Sequence, residues 1–177
     1  MCGAADVVYV PIPRRLLDEA SKRGVDVYEF VLKALTDTLQ LDPDEVAKAR
    51  VELAEKFLDE ARECLARGDA VQASEKLYKV VEECIKALAE TYRTPEVSGA
   101  RKEGRWWTKL LSRAAKTLSR KLNEPLIDVA WSKAYDLHVW GFHEASLDVE
   151  HVEIDLPYVE KLLEKTRSLV KQEQRTQ

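Results

Sequence analysis

The chain has 177 residues, 45% hydrophobic and 34% charged, which is room for one good-sized domain or a domain plus a small module. This composition excludes an extended disordered chain and a disulfide miniprotein, and no apolar run approaches the roughly 18 to 20 residues that span a bilayer. The net charge of −4 hides a segregation: residues 101–121 carry eight Lys/Arg against one acid, Glu103, while residues 144–164 carry seven acids against one base, Lys161. Such separation suits either a polyanionic partner or two surfaces that pair with each other.

The first residues, Met1-Cys2-Gly3-Ala4-Ala5-Asp6, have no basic start and no long apolar stretch, so a secretory signal is not expected. Cys2, Cys64 and Cys84 are odd in number and far apart, which fits a reducing cytoplasm better than a disulfide scaffold. Residues 7–12 are β-branched and aromatic and predict a strand, which Pro11 and Pro13 end or confine to an edge. Leu16, Leu17 and Ala20 give a first helix its apolar face, and Gly24 suits its C′ position. Asp26 is placed to cap a second helix on Tyr28, Phe30, Val31, Ala34 and Leu35. Asp42-Pro43-Asp44 then breaks the chain, so residues 1–42 read as a strand-helix-helix arm.

From Asp44 onward the pattern is helical. Val46, Leu53, Phe57, Ala61 and Cys64 recur on one face, and Arg67-Gly68-Asp69 ends that helix. Asp69, with Gln72 three residues on, resembles a capping box for the next, whose stripe runs from Val71 to Tyr92. The short turn predicts an antiparallel hairpin. A polar loop is expected over 94–99, a helix over 104–122, another over 125–142, and a last helix opened by Pro157.

Wound as one regular helix, Arg101, Arg105, Lys109, Arg113, Lys116 and Arg120 fall within about 120° of arc, opposite Trp107, Leu110, Leu111, Ala114, Ala115, Leu118 and Leu122. A cationic stripe of this kind can follow a phosphate backbone, each neutralised phosphate releasing counterions. It can equally be a solvated face answered by the acidic segment that follows.

All three histidines lie in residues 138–151. His138 projects onto the apolar face of its helix with Trp131, Ala134 and Phe142. His143, five residues on, points about 140° away on a regular helix, so the two do not form the four-residue metal pair. No metal or other cofactor is expected.

The segments Ala73-Ser74-Glu75-Lys76-Leu77-Tyr78 and Ile85-Lys86-Ala87-Leu88-Ala89-Glu90, with Leu137-His138-Val139-Trp140-Gly141-Phe142-His143-Glu144 beyond them, resemble the archaeal PaREP family, whose members look like all-α proteins of the HEPN type. The resemblance covers about residues 44–170. It implies a four- or five-helix bundle, usually a homodimer, akin to RNA-cleaving toxins and to partners of nucleotidyltransferases. The catalytic pattern of HEPN proteins is an Arg, four to six residues, then His. The nearest match here is Lys133 and His138, with Lys lacking the bidentate fork of Arg. In that reading His138 acts as general acid or base on a ribose 2′-hydroxyl. More weakly, residues 7–39 resemble a ribbon-helix-helix module, with a strand that lacks base-reading side chains.

The expected architecture is therefore mainly α: a HEPN-like antiparallel four/five-helix bundle over 43–177, with a small N-terminal strand-helix-helix arm over 1–42 serving dimerisation. The expected function is a homodimeric, non-catalytic interaction module that binds RNA or DNA, or a nucleotide, through the six-residue basic stripe. It could form half of a toxin–antitoxin-like pair, and a nucleotidyltransferase is the partner the resemblance suggests. The alternatives are a metal-independent endoribonuclease using His138 with Lys133, and a purely structural dimer. Tyr9, Val10, Trp140 and His143 are the expected interface residues, and the location is cytoplasmic.

Overall fold

A computed structural model describes residues 8–174. Local chemistry sets most of the helix ends. Helix α1 (Arg14–Lys22) follows Pro13, and Gly24, at φ +67°, takes the left-handed turn after it. Helix α2 (Val27–Leu39) is capped by Asp26, whose carboxylate accepts the Glu29 N–H at 3.1 Å. Asp42 accepts the N–H groups of Asp44 and Glu45, both at 2.9 Å, to start α3 (Pro43–Ala66), with Pro43 at its first position. Gly68 ends the connection at φ +77°, and Asp69 accepts the Gln72 N–H at 3.0 Å to open α4 (Ala70–Thr91).

Beyond α4 the chain departs from expectation in three places. A helix, α5 (Pro95–Glu103), replaces the predicted polar loop, with Pro95 pre-setting its first turn. It stops at Gly104 in the left-handed region, so α6 (Thr108–Leu122) begins four residues later than predicted. Helix α7 (Leu126–Asp136) runs straight into a π-helical turn (Leu137–His143). Helix α8 (Val149–Gln174) starts well before Pro157 and carries it inside. Pro157 and Glu153 are both exposed, so water can satisfy the Glu153 carbonyl that loses its helical partner.

The predicted strand is corrected. Among the described residues there is no strand: Val8, Tyr9 and Val10 are 81%, 74% and 75% exposed and pair with no other strand, and Tyr9 meets the bundle only through Lys56, whose Nζ lies 5.7 Å from its ring centre. The elements among the described residues are all helices and offer no edge for their N–H and C=O groups to pair with. Val7 and the residues before it lie outside the described region.

The molecule is a helical bundle around α4. Leu77, Val80, Val81, Cys84, Ile85, Ala87 and Leu88 are all fully buried, so α4 is enclosed on all sides, with α3 antiparallel to it and α6, α7 and α8 packed around. Enclosure extends to its charged residues. Lys86 Nζ lies 2.8 Å from Glu83, 2.9 Å from Glu82 and 3.0 Å from Glu29 of α2. Arg50 of α3 reaches Glu83 at 2.8 Å and Glu29 at 2.7 Å. Burial alone would raise these carboxyls. Lys86 and Arg50 instead hold Glu29 at about 2, and Lys86 with Lys79 holds Glu82 at about 2. No helix among the described residues is long and apolar enough to cross a membrane.

Candidate imidazole site and basic face

The π-helical turn changes what a histidine spacing of five means. Its hydrogen bonds run from residue i+5 to residue i, as in Glu144 N–H to the Val139 carbonyl at 2.9 Å. Residues five apart therefore stack on one side. His138 Nε2 and His143 Nε2 are 3.1 Å apart, with ring centroids at 4.4 Å. The regular-helix projection that separated the two rings is thus overturned.

Glu75 of α4 completes the group, with Oε2 3.0 Å from His138 Nδ1. An ionised carboxylate only accepts, so Nδ1 carries the hydrogen and donates to Glu75. In the neutral ring Nε2 is then an acceptor, and His143 Nε2–H donates to it. Tyr78 stacks on the His138 ring at 4.2 Å and 23°, and the Phe142 ring lies 6.0 Å from it at 20°. His138 and Glu75 keep 22% and 20% of their side-chain surface exposed, enough for a small group to reach them. Gly141 makes this docking possible, because a Cβ there would stand 2.2 Å from Ser74 Oγ and 2.6 Å from its Cβ. The chain thus joins residues 63 positions apart, and no spacing rule links Glu75 to His138. Among the described residues no group of three or more His, Cys, Asp or Glu is disposed to hold a metal ion.

Lys133 is placed elsewhere. Its Nζ pairs with Asp155 of α8 at 3.1 Å and lies 5.8 Å from the Tyr158 ring, while the polar neighbours of His138 are Glu75 and His143. His151 pairs with Asp148 at 2.6 Å, a local contact at the start of α8.

The basic stripe is interrupted. Because α5 ends at Gly104, Arg101 and Arg105 do not lie on α6, and the single six-residue stripe is corrected to Lys109, Arg113, Lys116 and Arg120. Arg101 pairs with Glu90 at 3.0 Å. Arg105 donates to the Gly24 carbonyl at 2.8 Å and covers the Trp107 ring at 3.7 Å. The four on α6 are exposed. Lys109 and Lys116 make only exposed contacts with Glu103 (3.7 Å) and Asp128 (3.3 Å). The acidic segment does not cover them. Its Glu160 pairs with Arg62 at 2.8 Å and its Asp155 with Lys133, and no ion pair among the described residues joins it to α6. A groove of about 590 Å³ runs between α6 and α7, with Lys109, Ser112 and Lys116 on one wall and Ser132, Tyr135 and Asp136 on the other. Tyr135 is 44% exposed there and leads inward through Trp131 and Tyr78 to His138, at ring separations of 6.4, 6.0 and 4.2 Å.

The expected interface residues Tyr9, Val10, Trp140 and His143 are all exposed, Trp140 by 53%.

Comparisons with known proteins bear on the bundle. The archaeal PaREP1/PaREP8 family matches residues 49–163. A crystal structure of a structural-genomics target protein from Sulfolobus solfataricus is similar, with 39% identity, a TM-score of 0.60, and coverage of 66% of this chain and 94% of that one. A solution structure of the same target is 38% identical with a TM-score of 0.60, covering 67% of this chain and 91% of that one. No curated protein matches. The match covers well over half the sequence and the bundle formed by α3 to α8: the chain belongs to the archaeal PaREP1/PaREP8 family.

Proposed function

We propose that this protein is a HEPN-like nucleic-acid-binding module that holds single-stranded RNA or DNA along the α6–α7 groove. The observation that carries this reading is the pairing of exposed cations with an exposed aromatic ring. Lys109 and Lys116 face Tyr135 across the groove, and Arg113 and Arg120 extend the positive face. Cations neutralise phosphates while an aromatic face stacks a base, which is how sequence-tolerant single-strand binders work. The overall negative charge does not oppose this, because the acidic residues of 144–164 make their ion pairs away from α6. The test is fluorescence anisotropy with labelled single-stranded RNA and DNA over a salt series. Binding should weaken steeply with salt, fall at least tenfold in K109E/R113E/K116E, and fall in Tyr135→Ala without a change in salt slope. Equal binding by wild type and the triple variant would refute the reading.

A second reading, metal-independent RNA cleavage, is favoured by the Glu75–His138–His143 chain. In that step His138, with Nδ1–H held by Glu75, takes the 2′-hydroxyl proton at Nε2 as the 2′-oxygen bonds to phosphorus, and His143, entering as the imidazolium, gives a proton to the leaving oxygen as its bond to phosphorus breaks. Lys133 is not needed in that scheme. Cleavage of mixed RNAs in the presence of a chelator, abolished by His138→Ala and retained by Lys133→Ala, supports it. No cleavage by wild type removes it.

A further inference from the structure

A cavity of about 510 Å³ lies where the N-terminal arm meets the bundle. Helix α2 forms one wall, and α3, α4, α5 and the link to α6 form the rest. That volume falls within the roughly 300–1,000 Å³ of small-molecule sites. Leu32 and Leu41 on the arm side, with Val46, Val97 and Trp106 opposite, give it an apolar lining.

The polar lining is incomplete in a consistent way. Buried Arg50 donates through Nη1 and Nη2 to Glu29 and Glu83, yet its Nε has no hydrogen-bond partner. Arg105 donates through Nη1 to the Gly24 carbonyl, and its Nε has none either. The Thr36 hydroxyl of α2 is in the same condition. Among the described residues six buried side-chain polar atoms lack a partner, and these three all belong to residues that line this one cavity. A buried donor left without a partner is costly, so three of them around one space mark a place for an acceptor. A carboxylate is acceptor-only and matches the planar N–H groups of a guanidinium.

The charge of the lining sets how much anion it takes. Lys33, Arg50, Arg101 and Arg105 stand against Glu29, Asp37 and Glu90, four cations to three carboxylates. Burial opposes the charge of Glu29, but Lys86 and Arg50 hold its carboxyl at about 2, so it stays ionised. The surplus of one positive charge answers one negative charge. A phosphate group carries nearly two and exceeds it.

We propose that this cavity binds a small organic monoanion, one carboxylate on an apolar body, clamped between α2 and the bundle. The carboxylate supplies the acceptor that Arg50, Arg105 and Thr36 turn to meet, and the apolar body lies against Trp106 and its neighbours. The family match begins at residue 49, so the α2 wall lies outside it, and the site belongs to the union of arm and bundle. This inference is independent of nucleic-acid binding, since none of Lys109, Arg113, Lys116 and Arg120 lines the cavity.

The test is isothermal titration calorimetry of the full chain at neutral pH with octanoate, hydrocinnamate and indoleacetate, each beside its primary amide, and with inorganic phosphate. At least one acid should bind one to one with a dissociation constant below about 1 mM, and at least tenfold more tightly than its amide. Thr36→Val should weaken that acid about tenfold, the worth of one hydrogen bond to a charged group, and Arg105→Gln should do the same. Thr36→Val barely changes side-chain volume, which keeps the test valid if Arg105→Gln does not fold. Hydrogen exchange of the α2 amides should slow at least threefold with the acid bound, because the ligand ties the arm to the bundle. Acids that bind no better than their amides overturn the proposal. So does phosphate that binds more tightly than every acid, an affinity unchanged in Thr36→Val, or α2 exchange that the bound acid leaves as it was.

Discussion

His138 and His143 meet Nε2 to Nε2 at 3.1 Å although five residues separate them, and the contact exists because the chain there winds as a π-helix. The carboxylate of Glu75 settles the direction of the hydrogen bonds: His138 donates through Nδ1 and accepts through Nε2.

That assignment is directly measurable. Nitrogen-15 NMR of the neutral protein should show His138 as the Nδ1–H tautomer and His143 as the Nε2–H tautomer. Glu75→Ala should release the preference at His138 and cost about 1.5 kcal/mol of stability, the low end for a hydrogen bond to a charged group because both side chains are partly exposed. An Nε2–H tautomer at His138 in the wild type would contradict the geometry.

Gly141→Ala tests the docking of the π-turn on α4. The added methyl would stand 2.2 Å from Ser74 Oγ, and that hydroxyl is itself committed to the Ala70 carbonyl at 2.7 Å. The backbone of one element must move, at a cost of about 1–3 kcal/mol in urea denaturation. Adding Ser74→Gly should recover part of the loss, because it removes both atoms that clash.

The buried charge network should make the fold acid-sensitive. Glu29 and Glu82 titrate at about 2 in the folded protein, below the ordinary 4.5. A lowered carboxyl pKa means that the unfolded chain binds the proton more tightly. The contribution of the network is therefore complete above about pH 4.5 and is lost as pH falls toward about 2. Urea midpoints measured across that window should drop steeply. Lys86→Met leaves Glu29, Glu82 and Glu83 without their shared ammonium and should cost about 3–5 kcal/mol at neutral pH.

Cys84 should be chemically silent in the folded state. It is fully buried, and burial pushes its thiol up to about 12. Iodoacetamide labelling followed by mass spectrometry should modify Cys84 only under denaturing conditions. Rapid labelling in native buffer would show that α4 opens far more often than its enclosure implies.

Much of the bundle was legible in the sequence because its signals are local. The Asp26, Asp42 and Asp69 caps, the turn at Gly68 and the apolar face of α6 each follow from a few neighbouring residues. The candidate site was legible only in part. His138 stood out as a histidine on an apolar face, but a 3.6-residue projection sends His143 away from it, and nothing in a spacing announces a π-turn. Glu75 joins them from another helix. Arg101 and Arg105 fall in line with α6 only when one regular helix is wound from Arg101, whereas Gly104 ends α5 and α6 starts at Thr108. The charged residues of α4 were hidden for a different reason. Glu82, Glu83 and Lys86 look like a solvated face until Arg50 and Glu29 arrive from two other helices to bury them.

The π-turn also has a genetic consequence. Each of its hydrogen-bonded steps holds one residue more than a step of α7 before it. Deleting one codon between 139 and 142 would leave the two histidines four apart, about 40° from each other on an ordinary α-helix, and so still on one side without a π-turn. At the present spacing of five, an ordinary α-helix would hold them about 140° apart. The imidazole contact is thus a property of winding as much as of composition: at this spacing it depends on the π-turn.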